Sequence, residues 1–358
     1  MRKLRFAIIG SGWRACFYIR IAKALPERFE LLGMAVRRRE RAEEMQEQYG
    51  IRTEEDQEVL LAEKPDFVVA AVNRAANYQV CRELLERGFA VLAETPPSDD
   101  PEELRILWDL VCQKGGKLQV AEQYFLYPSY AARIRISRSG ILGDIWNVNI
   151  SALHEYHAFS IIRKFLNNGH CPVKITARAY RYPVAETDSR DGMILHGEQK
   201  TQERVRAELE FEDGKTAFYD FSGVQYHSFI RSRHLNVQGT RGEIDDQMIS
   251  YLEEDSHPHQ EYILCERAED KKGVHRVLFG GRAVYENPYP IGLLTEDETA
   301  VACLMESMDY YLETGEELYP LADAMEDAYL TALLNEAVKT GKTVASTPQP
   351  WNNLTENL

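Results

Sequence analysis

Leu4-Arg5-Phe6-Ala7-Ile8-Ile9-Gly10-Ser11-Gly12-Trp13-Arg14-Ala15 decides the fold. Phe6 to Ile9 is a short apolar run, suited to a strand buried on both faces. Two glycines follow at once, and then Ala15, Ile19 and Ala22 recur at helical spacing, with Pro26 beyond the helix end. A strand, a glycine turn and a helix in that order form a dinucleotide-binding element. Gly10 permits the tight turn, Gly12 lets the backbone approach a pyrophosphate, and the small Ala15 allows close packing of helix on strand. The phosphates then meet free N–H groups at the positive end of the helix, beside Trp13 and Arg14.

The pattern continues outward from this turn. Leu31–Val36, Phe67–Val72, Ala90–Ala93 and Leu118–Ala121 read as further buried strands. Helices marked by Ala42, Met45 and Tyr49, by Asn77–Arg87, and by the stretch from Pro101 to near Gly115 alternate with them. Such βαβ alternation predicts an α/β domain with a doubly wound parallel sheet of the Rossmann type over residues 1–122. From residue 123 the rhythm changes. A helix over Pro128–Ser139 is followed by β-branched and aromatic stretches at Ile145–Leu153, Lys174–Tyr182, Arg204–Phe221 and His234–Gln238, with one helix, His157–Asn167, among them. Val205, Ala207, Leu209 and Phe211 alternate with Arg206, Glu208 and Glu210, which marks a strand with one wet face. Helices near Glu298–Leu312 and Leu321–Thr340 close the chain. Residues 123–358 therefore read as an α+β domain on an open, mostly antiparallel sheet. Asp188–Thr201 is polar and reads as an exposed loop or a lid.

The 358 residues exceed the size at which single cores usually stop growing, in keeping with two domains. No apolar run approaches the ~20 residues of a membrane span. A net charge of −15 argues against phosphate backbones and anionic lipid as partners. The six cysteines are scattered singly, with no C-x-x-C pair, so they read as reduced core residues of a cytoplasmic protein. No recognised metal-ligand spacing is present, and none is expected to bind.

At the end of the second strand, this fold usually carries a carboxylate for the ribose 2′-hydroxyl. Here Val36 is followed by Arg37, Arg38 and Arg39. Guanidinium groups suit a 2′-phosphate, so NADP(H) is expected over NAD(H), although NAD remains open. The plainer reading is a basic, solvated helix start.

The chain resembles the Gfo/Idh/MocA family of sugar and inositol oxidoreductases. The features in common are the opening glycine turn, Glu94-Thr95-Pro96 at a strand end, the turns Gly140–Asp144 and Gly239–Glu243, and the closing helix from Leu321 to Gly341. The resemblance implies a site between two domains and hydride exchange between a nicotinamide and a hydroxyl-bearing carbon of a carbohydrate-like substrate. It also implies a homo-oligomer, dimer or tetramer, built on the open sheet, which would otherwise expose an apolar face. It assigns Asn73 and Glu94 to the cofactor side. Two departures stand out. The family's lysine between Glu and Pro is Thr95 here, and its aspartate four residues before a histidine is Leu153. The matching histidine is His157, expected as the acid/base, since an imidazole titrates near working pH. Tyr124 is a second catalytic candidate. His154, Glu122 and Thr95 are substrate-contact candidates at strand ends or at a strand-to-helix junction. Arg163 reads as a partner for an anionic substrate group or as a helix-surface salt bridge. Arg231, Arg233 and His234 form a further polar cluster. Packing explains several of these equally well: His157 as a capping residue and Tyr124 as an interdomain aromatic. The altered segment leaves two other readings open. One is a non-catalytic nucleotide-binding sensor or assembly protein, and the other is a redox-neutral epimerase or lyase that recycles bound cofactor.

Overall fold

The computed structural model describes residues 2–267 and 273–352. The first half runs β1 (Leu4–Ile9), α1 (Ala15–Ala24), β2 (Phe29–Ala35), α2 (Arg39–Tyr49), β3 (Thr53–Glu54), α3 (Gln57–Leu61), β4 (Phe67–Ala70), α4 (Arg74–Glu86), β5 (Val91–Ala93), α5 (Pro101–Cys112) and β6 (Leu118–Val120). These six strands form one sheet in the order β3-β2-β1-β4-β5-β6, and every pair is parallel. The order reverses between β1 and β4. In such sheets the ligand crevice opens there, outside the carboxyl ends of the strands. Helices on both faces bury β1, β4, β5 and β6, which explains their near-continuous apolar sequence.

The second half runs α6 (Pro128–Arg138), β7 (Ile145–Ser151), α7 (Glu155–Leu166), β8 (Val173–Ala185), β9 (Asp188–Ser189), β10 (Gly192–Met193), β11 (Gln199–Phe211), β12 (Thr216–Phe221), β13 (His234–Gly239), β14 (Gly242–Asp245), β15 (Met248–Leu252), β16 (Pro258–Tyr262), β17 (Leu264–Arg267), β18 (Val274–Phe279), β19 (Arg282–Glu286), α8 (Glu296–Thr314), α9 (Leu321–Thr340) and β20 (Val344–Ala345). Nine of these strands make an open sheet, β16-β15-β14-β13-β7-β12-β11-β8-β20, antiparallel except where β12 meets β7. Its apolar face carries Val148, Ile150, Ala207, Leu209, Ala217, Tyr219 and Val237, buried in one core with residues of α7 and α9.

Three sequence expectations change here. The stretch 188–201 is not loop throughout. β8 and β11 pair over thirteen residues each, from Val173↔Phe211 to Ala185↔Gln199, and a small β9–β10 hairpin caps them. Most of that extension is exposed, Val184 being a buried exception, so main-chain pairing holds it with little apolar signal in the sequence. The open sheet does not expose an apolar face. Its outer side is a polar ladder in which Asn147 bonds Gln238, Asn149 bonds Asn236, and Asp220 pairs with Arg204 and Arg206. Phe218 and Tyr180 are exposed exceptions on it. Finally, α8 returns to the first half. Val301, Leu304, Met305 and Met308 pack in the same core as Phe6, Ile8, Tyr18 and Ile19. A Thr295–Glu298 capping box starts this helix and Gly315 ends it.

No described helix is long and apolar enough to cross a membrane. All six cysteines are free.

Candidate active site between the two halves

The glycine turn begins where β1 ends. Gly10 has φ +109°, and a Cβ there would lie 2.2 Å from the Ala71 carbonyl oxygen, so only glycine fits. Gly12 has nothing within 4 Å of a Cβ position and leaves the turn open on its outer side. Ala15, Cys16 and Phe17 donate back into the turn, to Gly12, Trp13 and Arg14 carbonyls. The backbone N–H groups of Ser11, Gly12, Trp13 and Arg14 have no acceptor among the described residues. Four free donors at the start of a ten-residue helix make a cradle for an anion. A dinucleotide pyrophosphate fits this donor set.

The Arg14 side chain does not join that cradle. Its Nη1 donates to both carboxylate oxygens of Asp297 at 2.9 Å, and its Nε stands 3.4 Å from Glu94. Glu94 also accepts from the Tyr18 hydroxyl. Arg14 and Glu94 thus belong to an ion-pair cluster inside the protein, with Arg14 Nη2 buried and left without a partner. Asn73 also bonds within the protein: it is the N-cap of α4, accepting from Ala76 N at 3.1 Å. Trp13 is half exposed and packs edge-on against Phe17. Arg37 and Arg38 are exposed beyond β2 and make no ion pair among the described residues. Arg41, which the sequence reading passed over, donates twice to the Ser11 carbonyl at 3.0 and 3.2 Å. It also pairs with Glu44.

Across the crevice, the structure brings His157, Glu122, Thr95, Tyr124 and His154 together. Glu122 follows β6, is fully buried, and its carboxyl contacts His157 Nδ1 directly. The other ring nitrogen, Nε2, stands 3.5 Å from Thr95 Oγ1. Glu122 was expected to touch substrate, but its position behind the imidazole makes it the partner of His157 instead. Burial pushes the Glu122 carboxyl up to about 8 and the His157 imidazole down to about 3. Both shifts favour neutral forms, so near pH 7 the Glu122 O–H donates to Nδ1 and the remaining N–H lies on Nε2, the atom beside Thr95.

Tyr124 begins a short 3-10 turn just past β6, its ring 4.5 Å from that of His157 and stacked on Tyr127. His154 is the N-cap residue of α7, and its ring lies 4.6 Å from that of His157. Its Nδ1 is 2.6 Å from the Tyr226 hydroxyl, which also accepts from the His154 backbone N–H. Burial lowers the His154 pKa to about 3, so this ring too is neutral. Leu153 is wholly buried, which fits its apolar character. Asn77 donates to the carbonyls of Glu94 (2.6 Å) and Pro96 (2.8 Å) and so holds the segment that presents Thr95.

The remaining candidates lie elsewhere. Arg163 is neither a surface residue nor a substrate contact: it is buried and pairs with Asp327 (2.8 Å) and Asp323 (2.9 Å) of α9. His234 pairs with Asp246 (3.0 Å), Arg231 donates to the Ile230 carbonyl, and Arg233 lies over the Tyr226 ring. Among the described residues, no group of three or more His, Cys, Asp or Glu could hold a metal ion. Tyr18, Asn77, Tyr226 and Asp297 were not singled out from sequence. Nothing local marks them, since each acts across a long separation.

Residues 4–122 match the family described as "Oxidoreductase family, NAD-binding Rossmann fold", GFO_IDH_MocA. The first third of the chain is thus similar to the NAD-binding domain of the Gfo/Idh/MocA oxidoreductases. D-glucoside 3-dehydrogenase of Escherichia coli (strain K12) is 29% identical over 155 residues. That match spans 42% of this chain and less than half, 44%, of the relative. Among solved structures, levoglucosan dehydrogenase in complex with NADH and levoglucosan superimposes with a TM-score of 0.71 at 16% identity, over 97% of this chain and 100% of that one. A myo-inositol dehydrogenase from Corynebacterium glutamicum ATCC 13032 gives 0.63 at 17% identity, with the same coverage. At such identities these two speak for the fold alone.

Proposed function

We propose that this protein is a Gfo/Idh/MocA-type, NADP(H)-dependent oxidoreductase that transfers a hydride to or from a hydroxyl-bearing carbon of a sugar, an inositol or a similar compound. The observation that carries the reading is the His157–Glu122 pair, with its Nε2 beside Thr95 and across the crevice from an open anion cradle. A nicotinamide bound in that crevice would give or take the hydride. The chain's own task is the proton. With the pair deprotonated, Nδ1–H donates to the Glu122 carboxylate and Nε2 offers a lone pair to the substrate hydroxyl. Taking that proton at Nε2 lets Nδ1–H pass back to Glu122, so a buried anion becomes a neutral pair. Glu122 thereby supplies the carboxylate partner that Leu153 lacks. Thr95 Oγ1, in place of the family's lysine, can hold the same substrate hydroxyl but carries no charge. Tyr124 and His154 stand beside the His157 ring as neutral hydrogen-bonding groups.

The preference for NADP(H) rests on Arg37 and Arg38, free guanidinium groups where a ribose carboxylate is lacking. We also place the domain boundary at 122/123, with α8 docked back on the first domain. Six free thiols accord with a reducing, cytoplasmic location.

The test is NADPH formation across a panel of sugars, inositols and sugar acids, with dissociation constants for NADP+ and NAD+. The expected result is turnover on at least one polyol and tighter binding of NADP+. Intact cofactor binding with no NADPH and no altered product by NMR would refute the enzyme. An altered product without NADPH would replace this reading with the redox-neutral one.

A further inference from the structure

The arm that extends β8 and β11 reaches the cofactor turn. Residues 186–198 leave the nine-stranded sheet as a closed loop. Glu186 N donates to Glu198 O (3.1 Å), Ile194 N donates to Thr187 O (3.0 Å), and β9 pairs with β10 at the tip. Gly197 admits no side chain, because a Cβ would lie 1.9 Å from the Glu186 carbonyl oxygen. The arm is also braced sideways: Thr187 Oγ1 accepts from Phe229 N at 2.8 Å. Its direction is thus set by the second domain.

At the tip, the Arg190 guanidinium sits 4.5 Å over the Trp13 ring. Trp13 belongs to the turn with four unpartnered N–H groups. The first domain's own arginines at that turn are paired, although Arg14 Nη2 is buried without a partner. Arg14 is held by Glu94 and Asp297, and Arg41 by the Ser11 carbonyl and Glu44. Arg190 makes no ion pair among the described residues and is exposed. A doubly charged pyrophosphate in the cradle would find backbone donors there, while Arg14 is tied to two carboxylates and Arg37 and Arg38 stand beyond β2. The second domain delivers an exposed cation to the same turn.

We propose that Arg190 is a cofactor-binding residue that crosses from the second domain to the dinucleotide pyrophosphate and closes the arm over it. The inference rests on the dinucleotide reading above. Trp13 serves as the resting platform, since a guanidinium over an indole keeps its charge unpaired and ready. The guanidinium fork then meets phosphate oxygens from the side opposite the backbone donors.

The test is calorimetric titration of the full chain with NADP+, NAD+ and ADP-ribose, repeated for Arg190→Ala and Arg190→Lys at two salt concentrations. Limited proteolysis of the 186–198 arm is followed in parallel. Arg190→Ala is expected to weaken all three ligands about tenfold, as loss of a charge-assisted phosphate contact should, and to reduce their salt dependence. Arg190→Lys should recover part of the affinity. Saturating NADP+ should protect the arm in the unsubstituted protein more than in Arg190→Ala. Equal dissociation constants for Arg190→Ala and the unsubstituted protein would overturn the proposal while leaving the dinucleotide reading standing. Failure of the unsubstituted protein to bind any of the three would overturn both.

Discussion

At the scale of single residues, the proposed chemistry turns on one contact. His157 was legible as a candidate because a histidine at a strand-to-helix junction can face a cleft. Its partner was not. Glu122 lies 35 positions earlier on another element, and only the meeting of β6 with α7 sets its carboxyl behind the imidazole. The same meeting removes it from the list of substrate contacts. The pH dependence follows with a definite sign. Oxidation of an alcohol needs the pair without its shared proton, so kcat for oxidation should rise with pH and level off above about 8, where Glu122 titrates. Reduction of the corresponding carbonyl needs that proton and should fall over the same range. Glu122→Gln removes the titrating carboxyl and should abolish this limb of the pH–rate profile while leaving the cofactor dissociation constant near its original value. A limb that persists in the variant would assign the titration to another group. His157→Ala should lower kcat by about 10²–10⁴-fold, the usual contribution of a general acid/base, again with cofactor binding intact. Unchanged turnover would favour the non-catalytic reading.

At the scale of elements, the site is built from the ends of strands and the starts of helices. The β1–α1 turn provides the open N–H groups, β5 and β6 run out at Glu94-Thr95 and Glu122, and α7 begins at His154–Glu155. Helix α4 has a structural part in this. Its buried Asn77 bonds two carbonyls of the 94–96 segment, as a tie between helix and strand end. Asn77→Ala would leave both carbonyls buried and unpaired, at a cost of about 2 kcal/mol. It should also raise KM for substrate as Thr95 shifts. Denaturant unfolding and steady-state kinetics would measure the two effects separately, and a stability loss with KM unchanged would limit Asn77 to the fold. Element types were the most readable feature of the sequence, because helices and buried strands carry distinct apolar periods. The β8–β11 extension was not readable as strand because mostly exposed strands carry little of that period.

At the scale of the whole molecule, two cores are joined by α8, which leaves the second half and buries its apolar side against α1 and β1. Its Asp297 reaches Arg14 across 283 positions and so links the cofactor turn to the second half. The outer face of the nine-stranded sheet is a polar ladder rather than the apolar surface expected. We propose that it still serves as the contact between copies of the chain, through Phe218 and Tyr180 set among hydrogen-bonding side chains. Light scattering on the eluting protein should then report a dimer or tetramer, and Phe218→Glu should shift it toward the monomer. A monomeric unsubstituted protein would end that idea. By itself the sequence determined the strand–turn–helix at the start, the alternation that makes a parallel sheet, the glycines of the opening turn and the missing ribose carboxylate. All of these are properties of short stretches, fixed by backbone sterics and apolar spacing. Only the tertiary structure decided that Glu122 backs His157, that Arg14, Glu94 and Asn73 bond to other parts of the protein, and that Arg190 lies over Trp13. Those pairings join distant segments, and charge, burial and hydrogen-bond supply are settled only once the segments meet.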